Sequence, residues 1–214
     1  MSSAYDIPFW SKDFYDHKAR WIHYYNQIRA VASRVRSHPG QLLGFKVLEV
    51  GPSHGQVTSY LKKFGVNVTT IDNKKEYRPD VLGDVLRMPF GEGEFDMVLV
   101  CEVLEHLPYE QFLKALTEIR RVVKSSVFLS LPDSRRTLLS FSLKVPFLRE
   151  KKFIFKVHTA KTIPSVYDHK FEIGMNNFPL RKIIRDVEGI GFKCLEHTVS
   201  MDTPKNHYFL LSRV

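Results

Sequence analysis

An open, doubly wound α/β sheet with helices on both faces is the architecture this 214-residue sequence predicts, and three observations carry it. Short apolar runs alternate with stretches of helical periodicity. The run Met97 to Val100 is continuously apolar, as a strand buried on both faces of a parallel sheet requires. The segments between strands are long enough to be crossover helices, the signature of β-α-β units. About seven strands are expected, mostly parallel with an antiparallel final one, together with an N-terminal helix and a cap insertion.

Taken in order, residues 14 to 35 place Trp21, Tyr25, Ile28, Ala32 and Val35 at spacings of three and four, which predicts one apolar helical stripe. Val47 to Val50 reads as the first buried strand, and Gln56 to Phe64 as a helix ending at Gly65. Val66 to Ile71 follows as a second strand closed by Asp72. Phe95 to Cys101 is the next strand. Pro108 opens a helix carrying Phe112, Leu113, Leu116, Ile119 and Val122, and Ser126 to Leu131 is a further strand. Leu180 to Ile190 predicts a helix ending at Gly191. Phe192 to Val199 and Tyr208 to Leu211 predict two late strands joined around Pro204 and Asn206. With no linker-like stretch, one domain is expected: a helical extension over 1–44, a ligand-binding half over 45–131, a cap insertion over 132–178, and a C-terminal helix and strands over 179–214.

Composition narrows the class. Hydrophobic residues at 43% and charged residues at 26% fit a folded chain with a sizeable core and exclude disorder. No run approaches the roughly 18 apolar residues of a membrane span, and the N-terminus lacks a basic-then-apolar leader, so a cytoplasmic address is expected. Cys101 and Cys194 are far apart and lack metal-ligand spacing, so buried reduced thiols and no metal are expected. The net charge of +9 is concentrated late: residues 132–214 hold 15 Lys/Arg against 8 Asp/Glu, while residues 45–131 hold 11 against 12. Nine of the late basic residues (Arg135, Arg136, Lys144, Arg149, Lys151, Lys152, Lys156, Lys161 and Lys170) lie between Asp133 and Lys170. On one face they would attract an anionic partner; otherwise they are a solvated surface.

The segment KVLEVGPSHGQVTSYL, residues 46–61, is a strand that breaks at a small-residue turn and restarts as a helix. Such turns bring backbone close to a ligand above the strand's carboxyl end. Three chemistries use them. Dinucleotide binding would need glycine at 51, 53 and 56, and the chain has Gly51, Ser53 and Gln56. The nucleophile elbow G-x-S-x-G is matched letter for letter at residues 51–55, but an elbow follows several earlier strands, and only a helix precedes this turn.

The third reading fits the residues best. Glu49, Gly51, Ser53 and Gly55 resemble the acidic-x-Gly-x-Gly-x-Gly motif of class I S-adenosylmethionine-dependent methyltransferases, with Ser53 standing for the middle glycine. Asp72 in VTTIDN, Asp84 in GDVLRMPF and the segment FDMVLVCEVLEHL extend the resemblance over residues 45–131, and DHKFEIG followed by PLRKI resembles uncharacterised bacterial and archaeal members of the family, of the methyltransferase type 11 kind. It implies a Rossmann-like domain and S-adenosylmethionine as cofactor, with S-adenosylhomocysteine as product. By the same resemblance Asp72, followed by Asn73, would accept both ribose hydroxyls, and Asp84 with the Val85 N–H would meet the adenine. Glu49 would shape the glycine loop or bind the methionine ammonium through water. Gly51, Pro52, Ser53, Gly55 and Cys101 would flank the methionine part, and His106 would lie on the cofactor side.

Methyl transfer from a sulfonium is an in-line displacement, in which alignment and exclusion of water supply much of the acceleration and a base is optional. His169, beside Glu172 in DHKFEIG, is the candidate base on chemical grounds, with His106 and His158 as further imidazoles and His54 only adjacent to the cofactor. The cap carries Leu138, Leu139, Phe141, Phe147, Phe153, Phe155 and Tyr167 among its basic residues. Such a surface suits an anionic small molecule, a glycan or a lipid-linked acceptor, with RNA second because no RNA-binding module is evident. A cofactor-binding scaffold without catalysis is the remaining alternative.

Overall fold

A computed structural model describes residues 18–36, 44–147, 150–157, 164 and 168–214. Its centre is a seven-stranded sheet built from β1 (Lys46–Val50), β2 (Asn67–Asp72), β3 (Val81–Leu82), β4 (Phe95–Cys101), β5 (Val123–Pro132), β8 (Phe192–Val199) and β9 (Asn206–Arg213). The strand order is β3-β2-β1-β4-β5-β9-β8. Pairing is parallel from β3 through β5, and β9 runs antiparallel to both of its neighbours. The doubly wound sheet with an antiparallel final strand is thus as expected. β6 (Arg136–Leu143) and β7 (Lys151–Val157) form a separate antiparallel hairpin.

Alternation along the strands divides the core between two layers. Leu48, Val50, Val98 and Val100 face one layer, where α3 (Tyr109–Val122) contributes Phe112, Leu116 and Ile119 and α4 (Leu180–Gly189) contributes Ile183 and Val187. Val47, Met97, Leu99 and Phe128 face the other, against Val57 and Leu61 of α2 (Gln56–Lys63) and Ala30 and Val31 of α1 (Lys18–Arg36). At about 1.5–3 kcal/mol per fully buried large side chain, these two layers dominate the stability of the domain.

Two expectations need correction, and the late basic run divides between two environments. α1 buries His23, Gln27, Ala30 and Val31, whereas Trp21 and Tyr25 of the predicted stripe are exposed. The helix is turned because His23 points inward to the Tyr208 hydroxyl, with Nδ1 to O 3.2 Å. Residues 14–17 of that predicted helix lie outside the described residues. Cys101 and Cys194 are free, but each is half-buried rather than fully enclosed. Among the described late basic residues, Arg135 and Lys156 turn inward onto Asp133, while Lys144, Lys151 and Lys152 stay exposed on the hairpin. Arg149, Lys161, His158 and Tyr167 lie outside the described residues.

The segment expected to be a cap has two parts. The hairpin projects with Leu138, Leu139, Phe141, Phe153 and Phe155 exposed, and Phe141 stacks on Phe153 and Phe155 with centroids 5.0 and 6.2 Å apart. Residues 171–175 instead return to the core: Phe171 and Ile173 are fully buried, and Ile173 N–H donates to the Pro132 carbonyl at the end of β5 (2.9 Å). Phe171 packs against Tyr109, Phe112 and Phe178 at centroid distances of 5.0–5.5 Å, which clamps this segment to α3.

Candidate functional site

Strand order reverses between β1 and β4, since β2 and β3 continue from one side and β5 from the other. A crevice opens at the carboxyl ends of strands at such a switch point. Its two walls here are the loop after β1, Gly51–Gly55, and the loop after β4, Cys101–His106. Val103 joins them, because a Cβ on Gly51 would fall on Val103 Cγ2. Gly51 also has φ +70° and donates its N–H to the Ile71 carbonyl (2.9 Å), so neither its space nor its backbone admits a side chain. Gly55, at φ +72°, starts α2 without a side-chain cap, and Pro52 beside it is buried.

Glu49 lies on β1 beneath this loop, 4% exposed, and accepts a short hydrogen bond from the Thr58 hydroxyl of α2. Burial raises its carboxyl from 4.5 to about 7, against which the Thr58 bond and the Lys62 charge act only partly. Ser53 has φ +50° and its hydroxyl meets His54 Nδ1 at 3.0 Å, while the His54 ring stands edge-on to Tyr77.

Asp72 ends β2, half-buried, and accepts the Lys74 N–H through Oδ1 (2.8 Å); desolvation raises its carboxyl above the ordinary value. Its carbonyl accepts from Gly83 N–H (2.9 Å), which brings the 83–86 turn beside the end of β2. In that turn Asp84 is exposed and accepts the Leu86 N–H (2.9 Å), and Val85 packs against the core. Asn73 is exposed. Sequence-selected residues from three separate segments therefore meet at one end of the sheet.

On the β4 side, Glu102 has φ +56°, a conformation costing about 1–3 kcal/mol for a non-glycine residue. Three hydrogen bonds hold it: its N–H donates to Ser130 Oγ (3.1 Å), and its carboxylate accepts from the Ser130 hydroxyl (2.6 Å) and Asn206 Nδ2 (2.9 Å). Glu102, Ser130 and Asn206 were not singled out by sequence, although a carboxylate directly after β4 was visible in CEVLEH. Cys101 places its Sγ 3.9 Å from the Phe128 carbonyl, and burial of the sulfur, with Glu102 nearby, pushes its thiol well above the usual range.

The short 3-10 turn Leu104–His106 presents Glu105 inward and His106 outward. Glu105 is fully buried, and neither carboxylate oxygen has a hydrogen-bond partner on another described residue. Burial, with Glu102, Asp168 and Glu172 nearby, pushes its carboxyl well above the usual range. His106 Nδ1 lies 3.1 Å from Asp168, and its ring meets His169 edge-on at 5.0 Å. His169 Nδ1 lies 2.9 Å from Glu172 Oε1, and Glu172 is completely buried. Glu172 thus holds the His169 ring, which stands beside His106.

Beyond this crevice Asp133, at the end of β5, is the hub of a buried network. It accepts from Lys156 Nζ (2.6 Å), Arg135 Nη2 (2.7 Å) and His207 Nε2 (2.7 Å), and its carboxyl is held far below the usual range by these donors despite the opposing effect of desolvation. With Nε2 protonated toward Asp133, His207 Nδ1 accepts from His197 Nε2 (2.8 Å).

Comparison with known proteins agrees with this arrangement. Residues 48–131 match the family model described as a methyltransferase domain. An uncharacterized protein of Methanocaldococcus jannaschii is 34% identical over 86 residues, covering 38% of this chain and 37% of that protein. An uncharacterized methyltransferase of Synechocystis is 32% identical over 108 residues, covering 46% of this chain and 49% of the relative, so the matches span less than half of each curated relative. Among solved structures, magnesium protoporphyrin IX methyltransferase of Synechocystis superposes with TM-score 0.62 at 14% identity over 99% of this chain and 88% of that one. The N-methyltransferase NodS of Bradyrhizobium japonicum gives 0.63 at 13% identity over 96% and 94%. These likenesses establish the fold, and the family match lies on the residues that build the crevice. Residues 48–131 thus match a methyltransferase domain, and the seven-stranded sheet that carries them has the fold of the methyltransferases named here.

Proposed function

We propose that this chain transfers a methyl group from S-adenosylmethionine to a small-molecule, glycan or lipid-linked acceptor. The observation that carries the reading is the convergence of the side-chain-free turn at Gly51 with Asp72 at one switch-point crevice, within the matched methyltransferase segment. Of the two solved structures named above, one holds S-adenosylmethionine and is named for a magnesium protoporphyrin acceptor, and the other holds the demethylated product and is named an N-methyltransferase.

The residues fit such a cofactor. Gly51 and Gly55 let main chain approach it, and Asp72 offers a carboxylate acceptor for ribose hydroxyls. Asp84 and the Val85 N–H offer an acceptor and a donor for the adenine edge, with Asn73 alongside. Glu49, through water, offers a partner for the methionine ammonium; Pro52, Ser53, Cys101 and His106 line the remainder. When bound, the sulfonium supplies an activated methyl group, and the chain's contribution is alignment and exclusion of water. His169, with its Nδ1 occupied by Glu172, presents Nε2 as the nitrogen able to take a proton from an acceptor. The exposed lysines of the hairpin, Lys144, Lys151 and Lys152, favour an anionic acceptor, with nucleic acid the second choice.

Calorimetry with S-adenosylmethionine and S-adenosylhomocysteine tests the cofactor, and a search for 14-mass-unit shifts, about one added CH₂, across a metabolite pool tests the transfer. Failure of both ligands to bind at roughly 1 mM ends the reading. Binding without any methylated product favours the scaffold alternative.

A further inference from the structure

We infer that Glu105, His106 and His169 form a binding site for a divalent transition-metal ion. One ligand atom from each of the three lies within 4.8 Å of the others. Two ligands at roughly 2.0–2.2 Å from one ion stand at most about 4.4 Å apart, so a side-chain shift of a few tenths of an ångström brings all three onto a common ion.

Two independent features point to a cation there. Glu105 is fully buried with neither oxygen partnered by another described residue, an arrangement unfavourable for a charged group unless an ion completes it. The two imidazoles are each oriented by a carboxylate at Nδ1: Asp168 stands 3.1 Å from His106 and Glu172 2.9 Å from His169. This leaves Nε2 of both rings for coordination, the carboxylate–histidine–metal arrangement that fixes the tautomer and raises ligand basicity. With an ion bound, His169 Nε2 is a ligand, and its role as proton acceptor applies to the metal-free chain alone. Four carboxylates, Glu102, Glu105, Asp168 and Glu172, act on this small volume, and Glu102 accepts from the neutral groups of Ser130 and Asn206. A 2+ ion balances that charge.

Two imidazoles and one carboxylate select borderline ions such as Mn²⁺, Fe²⁺, Co²⁺ or Zn²⁺ over Mg²⁺ or Ca²⁺, which take mostly oxygen. Three protein ligands leave positions for water or another oxygen ligand, and His106, 40% exposed, opens the site to solvent. That an acceptor oxygen takes such a position rests on the methyl-transfer reading; the ion site does not.

The test is titration of the full chain, freed of metal and without S-adenosylmethionine, with Co²⁺ followed by visible d–d absorption and with Zn²⁺ followed by calorimetry. Saturation at one ion per chain is expected. His106→Ala and Asp168→Asn change exposed side chains and should leave the far-ultraviolet circular dichroism unchanged. The first should abolish the saturable absorption, and the second should weaken binding about 10-fold or more through loss of the orienting carboxylate. Glu105→Gln should also abolish it. Absence of saturable Co²⁺ or Zn²⁺ binding up to roughly 1 mM overturns the site, as does binding unchanged in His106→Ala. Because the titration uses the chain alone, its failure is distinguishable from a failure of cofactor binding.

Discussion

Lys156 Nζ of the β6–β7 hairpin lies 2.6 Å from Asp133 Oδ2 at the end of β5, and the side chains are 8% and 0% exposed. This buried pair, with Arg135 and His207 on the same carboxylate, pins the hairpin to the central sheet. Removing the hub leaves three buried or half-buried donors without their acceptor. Asp133→Ala should therefore destabilise the domain by about 3–5 kcal/mol, the range for breaking a buried charge pair from one side. Urea unfolding measures it, and a loss below about 1 kcal/mol would show that water replaces the carboxylate easily.

The same network makes stability depend on acid. Burial lowers His197 from 6.5 to about 4, with His207, Lys156 and Arg135 adding repulsion, and burial lowers His207 as well. An imidazole with a depressed folded-state value takes its proton first in the unfolded chain. Its stabilising effect is complete above pH 6.5 and is lost as pH falls toward 4. Asp133, also depressed, adds a further loss below about pH 4. The urea midpoint should fall between pH 7 and 5, and His197→Gln should make that fall shallower. An equal slope in both proteins would place the titration elsewhere.

Glu49 acts in the opposite direction. Its folded-state value is raised to about 7, so its contribution is intact below pH 4.5 and is lost as pH rises through 7. Glu49→Gln keeps the shape and can still accept the Thr58 hydroxyl, so it should gain stability relative to the parent chain between pH 5 and 8, by on the order of 3 kcal/mol. Paired unfolding curves at the two pH values measure the difference, which the histidines share and so do not disturb. A difference independent of pH would mean that Glu49 stays ionised through a counter-ion or water.

Much of the fold was legible because the signals are local. β4 is a continuous apolar run, α3 carries a clear helical stripe, and the break at Gly51–Gly55 marks the strand-to-helix turn. The candidate cofactor residues could be picked out because their order along the chain resembles a known set of motifs, with Gly51 and Gly55 in the glycine turn, Asp72 at the end of β2 and Asp84 in the turn after it. α1 was misoriented because aromatic residues were weighed as core, whereas His23 has a polar partner inside on Tyr208 that no periodicity reveals. The Asp133 network joins residues 23 and 74 positions apart in sequence, and only the fold brings them together. The same holds for Glu105 and His169, which meet because the 168–175 segment returns to the core behind Phe171.

Asp72→Ala should weaken binding of S-adenosylmethionine by on the order of 1.5–3 kcal/mol, the cost of losing hydrogen bonds to a charged acceptor. Asp84→Ala, exposed and in a turn, should cost less, since water competes for its site. Calorimetry on the two variants separates them. An unchanged affinity in Asp72→Ala would move the ribose site away from the end of β2.

Gly51→Ala should damage both folding and binding. The new methyl would fall on Val103 Cγ2, and φ +70° is unfavourable for any residue with a Cβ. Backbone strain alone costs roughly 1–3 kcal/mol, and overpacking a similar amount again. The pair Gly51→Ala with Val103→Ala separates these contributions, because the second change removes the clash and leaves the φ strain. Thermal unfolding should show the double variant more stable than Gly51→Ala but less stable than Val103→Ala. If the double variant equals Val103→Ala, the turn tolerates a side chain at 51 and steric contact with the β4 loop alone explains the glycine. If it is no better than Gly51→Ala, the strain dominates and Val103 yields readily. Cofactor affinity measured on the same proteins then reads whether the crevice needs the open backbone itself, since a folded double variant that binds as well as Val103→Ala would show that main-chain approach at residue 51 is not required.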